Sequence, residues 1–164
     1  MGVSGKEESI PIEVADCVQA IDSTSAKIIV GIIEELTKNA DESFKGGHYL
    51  ESAIIMFQLV EYFLRLIIEL FGQINRLDKD ILKKIANEQR FFNLVIFLGM
   101  VKPDNGISEK MFKLNRKRND IVHHLFEFKS IEALKDELIA FHEESLNLIE
   151  DLRSLIPTKL NEMI

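Results

Sequence analysis

An all-α bundle is the fold class that this sequence predicts, and three observations predict it. Apolar residues recur at steps of three and four almost throughout the chain, the spacing that gathers them on one face of a helix. Only three prolines and eight glycines punctuate the 164 residues, which leaves little room for the turns of an all-β fold. With 46% hydrophobic and 29% charged residues the composition is globular, and the length suffices to bury a core without staples. The expectation is one up-and-down bundle of four to six helices over residues 26–157, preceded by an arm or short helix at 1–25 and followed by a tail at 158–164.

The elements follow in order. Pro11, a good first-turn residue, opens a weak segment through Val14, Val18 and Ile21 that stops at the polar run Asp22, Ser23, Thr24, Ser25. A helix over 26–45 places Ile28, Ile29, Ile32, Ile33, Leu36, Ala40 and Phe44 on one stripe and ends at Gly46 and Gly47. The most apolar helix, 49–71, has polar exceptions at Gln58, Glu61, Arg65 and Glu69 that fall on one thin line. So narrow a polar line requires cover on two sides, one from the domain's own core and the other from a second copy of the chain. The charges Glu61, Arg65 and Glu69 argue against a membrane span and can form a salt-bridge ladder. After Gly72, short helices at 78–87 and 88–100 carry Ile81, Leu82 and Ile85, then Phe91, Phe92, Val95, Ile96 and Leu98, all read as core-covering. A turn at Pro103, Asp104, Asn105 and Gly106 leads to a helix opened by Ser108 as cap and Glu109. A last helix, 130–156, carries Leu134, Leu138, Phe141, Leu148, Leu152 and Leu155 and stops before Pro157.

Charge narrows the function classes. A net charge of −7 argues against a general nucleic-acid coat protein, because phosphate binding is driven by cations that displace counterions. The charge is uneven, however. Lys110, Lys113, Arg116, Lys117 and Arg118 form a basic strip, whereas Glu132, Asp136, Glu137, Glu143, Glu144 and Glu150 dominate the segment after it. Such a strip can steer a polyanion into one cleft or serve only as a solvated helix face. The single Cys17 and the polar start from Met1 to Ser9 point to a cytoplasmic, reducing compartment.

The chemistry concentrates in Arg118, Asn119, Asp120, Ile121, Val122 and His123. A guanidinium and an imidazole are what phosphodiester chemistry without a metal needs. Along this helix Met111, Leu114, Arg118, Ile121, Val122 and Leu125 form the core line, so Arg118 lies at its edge. At roughly 100° per residue Asn119 and His123 share a face, whereas Arg118 and His123 differ by about 140°. Asn119 is therefore placed to orient the imidazole, and Arg118 reaches the same phosphate by its long side chain or from a partner helix. A two-fold interface meets that geometry. No His, Cys, Asp or Glu cluster has zinc spacing, no Gly-rich loop follows a strand, no Ser is set beside a base, and no cofactor is called for. His48 and His142 read as structural.

Arg118 and Asn119 followed by three residues and His123, late in an all-α domain behind a long apolar helix, resemble the HEPN superfamily. Its hallmark is an Arg separated by four to six residues from a His, often with a polar residue after the Arg. The specific content of the match is Arg118, Asn119, Val122 and His123, and His124 falls within the permitted spacing as a second catalytic candidate. The resemblance implies a dimeric, metal-independent endoribonuclease, either a toxin of a toxin–antitoxin pair or a defence nuclease. His123 would act as general base on an RNA 2′-hydroxyl and Arg118 would stabilise charge on the phosphate. Lys110, Lys113, Arg116 and Lys117 would bind the RNA backbone. The toxins paired with minimal nucleotidyltransferases usually have a Tyr two places after the His. Leu125 stands there, so modification of that Tyr does not carry over, although an antitoxin of nucleotidyltransferase type remains an expected partner. The competing expectation is a non-catalytic helical module that binds a protein or nucleotide. The aromatic surplus at Phe91, Phe92, Phe126 and Phe128 adds to the case for a homodimer.

Overall fold

The computed structural model describes residues 23–74, 77–101, 106–125 and 127–156. The expectations for 1–22, for the turn at 103–105, for Phe126 and for the tail lie outside them. The described residues form six helices and no strand: α1 Ser23–Lys45, α2 Tyr49–Ile74, α3 Lys79–Glu88, α4 Phe91–Val101, α5 Ile107–His123 and α6 Ile131–Ser154. This is the expected all-α bundle. None of these helices is long and apolar enough to cross a membrane.

The first helix begins earlier than the polar run suggests, at Ser23. Small hydroxyl residues suit a first turn, whose N–H groups have no carbonyl partner within the helix. Its expected stripe is narrower than the spacing implies. Ile33 and Ala40 are buried, whereas Ile28 and Ile32 are exposed. The glycine stop is built as expected, with Gly47 at φ 80°. The Gly47 N–H bonds to Phe44 O at 3.1 Å and that of His48 to Ser43 O at 2.8 Å, the paired bonds of a Schellman turn.

The central element is α2. It packs against α1, α3, α4 and α6, and Phe63, Leu64, Ile67 and Ile68 are fully buried along it. Along this buried stretch the domain's own helices supply cover on more than one side. Arg65 and Glu61 form the expected i, i+4 pair at 2.5 Å. The helix does not end before Gly72 but runs through it to Ile74. Glycine is needed there for closeness, because a Cβ would stand 2.1 Å from Cδ2 of buried Leu82 on α3.

The remaining helices close the bundle, α4 against α2 and α5, and α6 against α2 and α5. Asp78 caps α3 by accepting from the N–H groups of Asp80 and Ile81, and Ser130 caps α6 by accepting from that of Ala133 at 3.0 Å. The expected cap at Ser108 is not made. Gly106, at φ 71° and without a side-chain cap, occupies that position, and Ser108 lies in the first turn. The helix starts two residues early because Ile107 is itself a buried core side chain. On α4, Phe91, Leu94, Val95 and Leu98 face the core, but Phe92, Ile96 and Met100 form an exposed stripe that the core-covering expectation missed.

Candidate functional site

The motif helix α5 is held in the bundle by Ile107, Met111, Leu114 and Ile121, all buried. The next position in that series after Leu114 is Arg118, which falls at the core's edge. Its guanidinium lies over the Phe57 ring of α2, 4.9 Å from the centroid, and Nη1 donates to Asn119 Oδ1 at 2.9 Å. Asn119 thus braces Arg118 instead of the imidazole that it was expected to orient. The adjacent pair meets because the long Arg118 side chain reaches round the helix to the Asn119 amide. Val122, expected in the core line, is instead 48% exposed.

Beside Arg118 lies an open groove of about 410 Å³ between α2, α5 and α6. Leu50, Ile54, Phe57 and Val122 supply apolar walls, and Arg118, Gln58 and Glu61 supply polar groups. His123, the exposed last residue of α5, does not line it. Helical rotation puts it about 100° round from Val122, on the flank that also carries Asn119. One chain therefore brings Arg118 and Asn119 together but does not place Arg118 and His123 on one groove. His124 ends the helix as its C-cap, with Nδ1 2.8 Å from Glu127 Oε2.

Two of the five cations in the basic strip are neutralised by the acidic helix that follows it. Lys117 pairs with Glu144 at 2.8 Å and Glu137 at 3.5 Å, and Lys110 with Asp151 at 2.6 Å, all across the α5–α6 interface. Lys113 pairs with Glu109 on its own helix at 2.9 Å. The pairing holds the Glu109 carboxyl below its ordinary range, first through the hydrogen bond from Lys113 and then through its charge. Among the described residues no carboxylate pairs with Arg118 or Arg116. The signal for this was present in the sequence as a basic helix followed by an acidic one, but which charges meet depends on how the two helices pack.

A second arrangement was not foreseen. Ser52 does stand beside a base, the buried His142. Ser52 Oγ donates its one hydrogen to Ala40 O at 2.9 Å and so accepts from His142 Nδ1–H, also at 2.9 Å. The imidazole stacks on Phe44 with centroids 4.1 Å apart. Because the hydroxyl hydrogen points to a carbonyl and not to the imidazole, the histidine cannot draw it off, and the trio acts as a clasp joining α1, α2 and α6. Burial pushes the His142 pKa down, against the charges of Asp41 and Glu143. His48 is exposed at the edge of a second hollow, with Tyr49, Ile131 and Lys135. Among the described residues no three His, Cys, Asp or Glu side chains gather as metal ligands.

No family model, no curated protein and no solved structure matches this chain.

Proposed function

We propose that this chain is a metal-independent endoribonuclease of the HEPN type that works as a homodimer. The observation that carries the reading is the state of Arg118. It is exposed, braced by Asn119 and Phe57, and free of any carboxylate among the described residues, although its neighbours Lys110, Lys113 and Lys117 are paired. A fixed, uncompensated guanidinium suits the equatorial oxygens of a phosphate in its transition state.

In the proposed reaction His123 takes the proton of an RNA 2′-hydroxyl, the 2′-oxygen bonds to the adjacent phosphorus, and the bond to the 5′-oxygen breaks. That oxygen leaves with a proton supplied by a general acid, and a 2′,3′-cyclic phosphate remains. Arg118 and His123 diverge by about 140° round one helix, so the reading places the Arg of one protomer against the His of the other. His124, its Nδ1 engaged by Glu127, is the reserve base. If the chain is a toxin, a nucleotidyltransferase-type antitoxin is the fitting partner.

The test is cleavage of RNA by the pure protein in chelator, with light scattering alongside. Cyclic-phosphate products and a dimer are expected, and Arg118→Ala and His123→Ala should each abolish cleavage. Full activity in either variant, or a strict monomer at micromolar concentration, would sink the reading. The paired lysines favour the second reading, a non-catalytic module that binds a protein or nucleotide, because ion pairs lower the positive charge left for RNA. Its signature is a protein or nucleotide bound with no cleavage of RNA.

A further inference from the structure

We propose that the groove beside Arg118 is a binding subsite for one unstacked nucleobase of the RNA, with Arg118 on the attached phosphate; the assignment rests on the nuclease reading above. The groove runs along α2 from Leu50 to Glu61, roughly 16 Å at the helical rise, and its volume of about 410 Å³ falls in the range of roughly 300–1,000 Å³ that encloses small ligands. Three of its apolar side chains are open to solvent: Leu50 is 37%, Ile54 50% and Val122 48% exposed. They present exposed aliphatic surface to the face of a base, and apolar side chains serve in this way in pockets for extruded bases.

The polar groups complete the fit. Gln58, exposed on the α2 wall, offers both donors and an acceptor to a base edge. Glu61 keeps acceptor capacity for an exocyclic amino group, since Arg65 engages its Oε1. Arg118, without a carboxylate partner among the described residues, supplies the one uncompensated cation of the lining. A ligand with apolar faces, a hydrogen-bonding edge and an anionic end is a nucleotide. Inorganic phosphate has no face for Ile54 and Val122, and a fatty carboxylate has no edge for Gln58. Recognition of single-stranded RNA commonly proceeds base by base in this manner.

Methyl NMR on the full chain, titrated with the four nucleoside 3′-monophosphates, inorganic phosphate and decanoate, tests the subsite. Nucleotides should shift the methyls of Leu50, Ile54 and Val122, Ile54→Glu should weaken binding about tenfold or more because it sets a carboxylate against an anionic ligand, and Gln58→Leu should alter the order among the four bases. Both positions are exposed, so the variants should keep wild-type circular dichroism. Methyl shifts from decanoate alone, equal effects of phosphate and nucleotide, or no shift at all would overturn the subsite. Cleavage by Ile54→Glu at unchanged rate and unchanged positions overturns it while leaving the nuclease reading intact. Nucleotide-induced methyl shifts in a protein that cuts no RNA support the site and overturn the nuclease reading.

Discussion

The guanidinium of Arg118 on α5 lies over the ring of Phe57 on α2, 4.9 Å from its centroid, with Asn119 holding its other side. This contact ties the motif helix to the most buried helix of the fold. A stacked, braced arginine loses little freedom when it meets a phosphate, which is the condition for a large electrostatic contribution to a rate.

Arg118→Lys keeps the charge but loses the planar fork and the bond to Asn119. Cleavage in chelator should fall by about 100-fold or more, the loss typical of removing one fixed transition-state donor. Stability should change by no more than about 1 kcal/mol, the worth of an exposed cation–π contact. Turnover and thermal melting measured on the same preparation separate the two effects.

The cations of α5 should not contribute equally to RNA affinity. Lys113, paired with Glu109, and Lys117, paired with Glu137 and Glu144, are already compensated, whereas Arg116 and Arg118 have no acid partner among the described residues. On an inactive His123→Ala background, Arg116→Ala should reduce the slope of log affinity against log salt by about one. Lys113→Ala should change it by clearly less. Fluorescence anisotropy over a salt series reads both slopes.

The Ser52 clasp makes a stability prediction. Ser52→Ala leaves Ala40 O and His142 Nδ1–H without their buried partner, which should cost about 1–3 kcal/mol. Urea denaturation at neutral pH measures it, and a change below about half a kcal/mol would contradict the clasp.

His142 also sets a pH dependence. Its folded pKa lies below the ordinary value of about 6.5 because burial disfavours the imidazolium. The unfolded chain therefore binds the proton more readily between the two pKa values, and stability rises with pH across that window. The contribution is fully present above about pH 6.5 and is lost as the pH falls toward the lowered folded value. Urea midpoints should drop over that acid range in the wild type, and His142→Gln should flatten the drop.

Gly72→Ala tests the close approach of α2 and α3. Alanine gains about 1 kcal/mol of helix propensity, but its Cβ would collide with Leu82, which is only 2% exposed. Overpacking typically costs about 1–3 kcal/mol, so a net loss and faster hydrogen exchange in α3 are expected. A higher melting temperature would show that Leu82 has room to move.

Much of this was legible in the chain because the signals are local. The glycine stop after α1 and the helical periodicity each depend on residues within a few positions of one another, and the stop and the helices are there. Gly72 was misread as a stop because its role depends on Leu82, ten positions away in sequence but in contact in space. The basic strip was overestimated for the same reason, since Glu144 and Asp151 reach it only after α6 folds back on α5.

By itself the sequence determined that the protein is helical, where most helices begin and end, and that Arg118, Asn119 and His123 share one of them. Periodicity and capping act over one or two turns, so no neighbour in space is needed to read them. Only the tertiary structure decided which cations stay uncompensated, that Asn119 braces Arg118 rather than His123, and that Leu50, Ile54 and Val122 open a groove beside them. Those are properties of distances between helices, and packing sets such distances through the volume and charge of residues far apart in the chain.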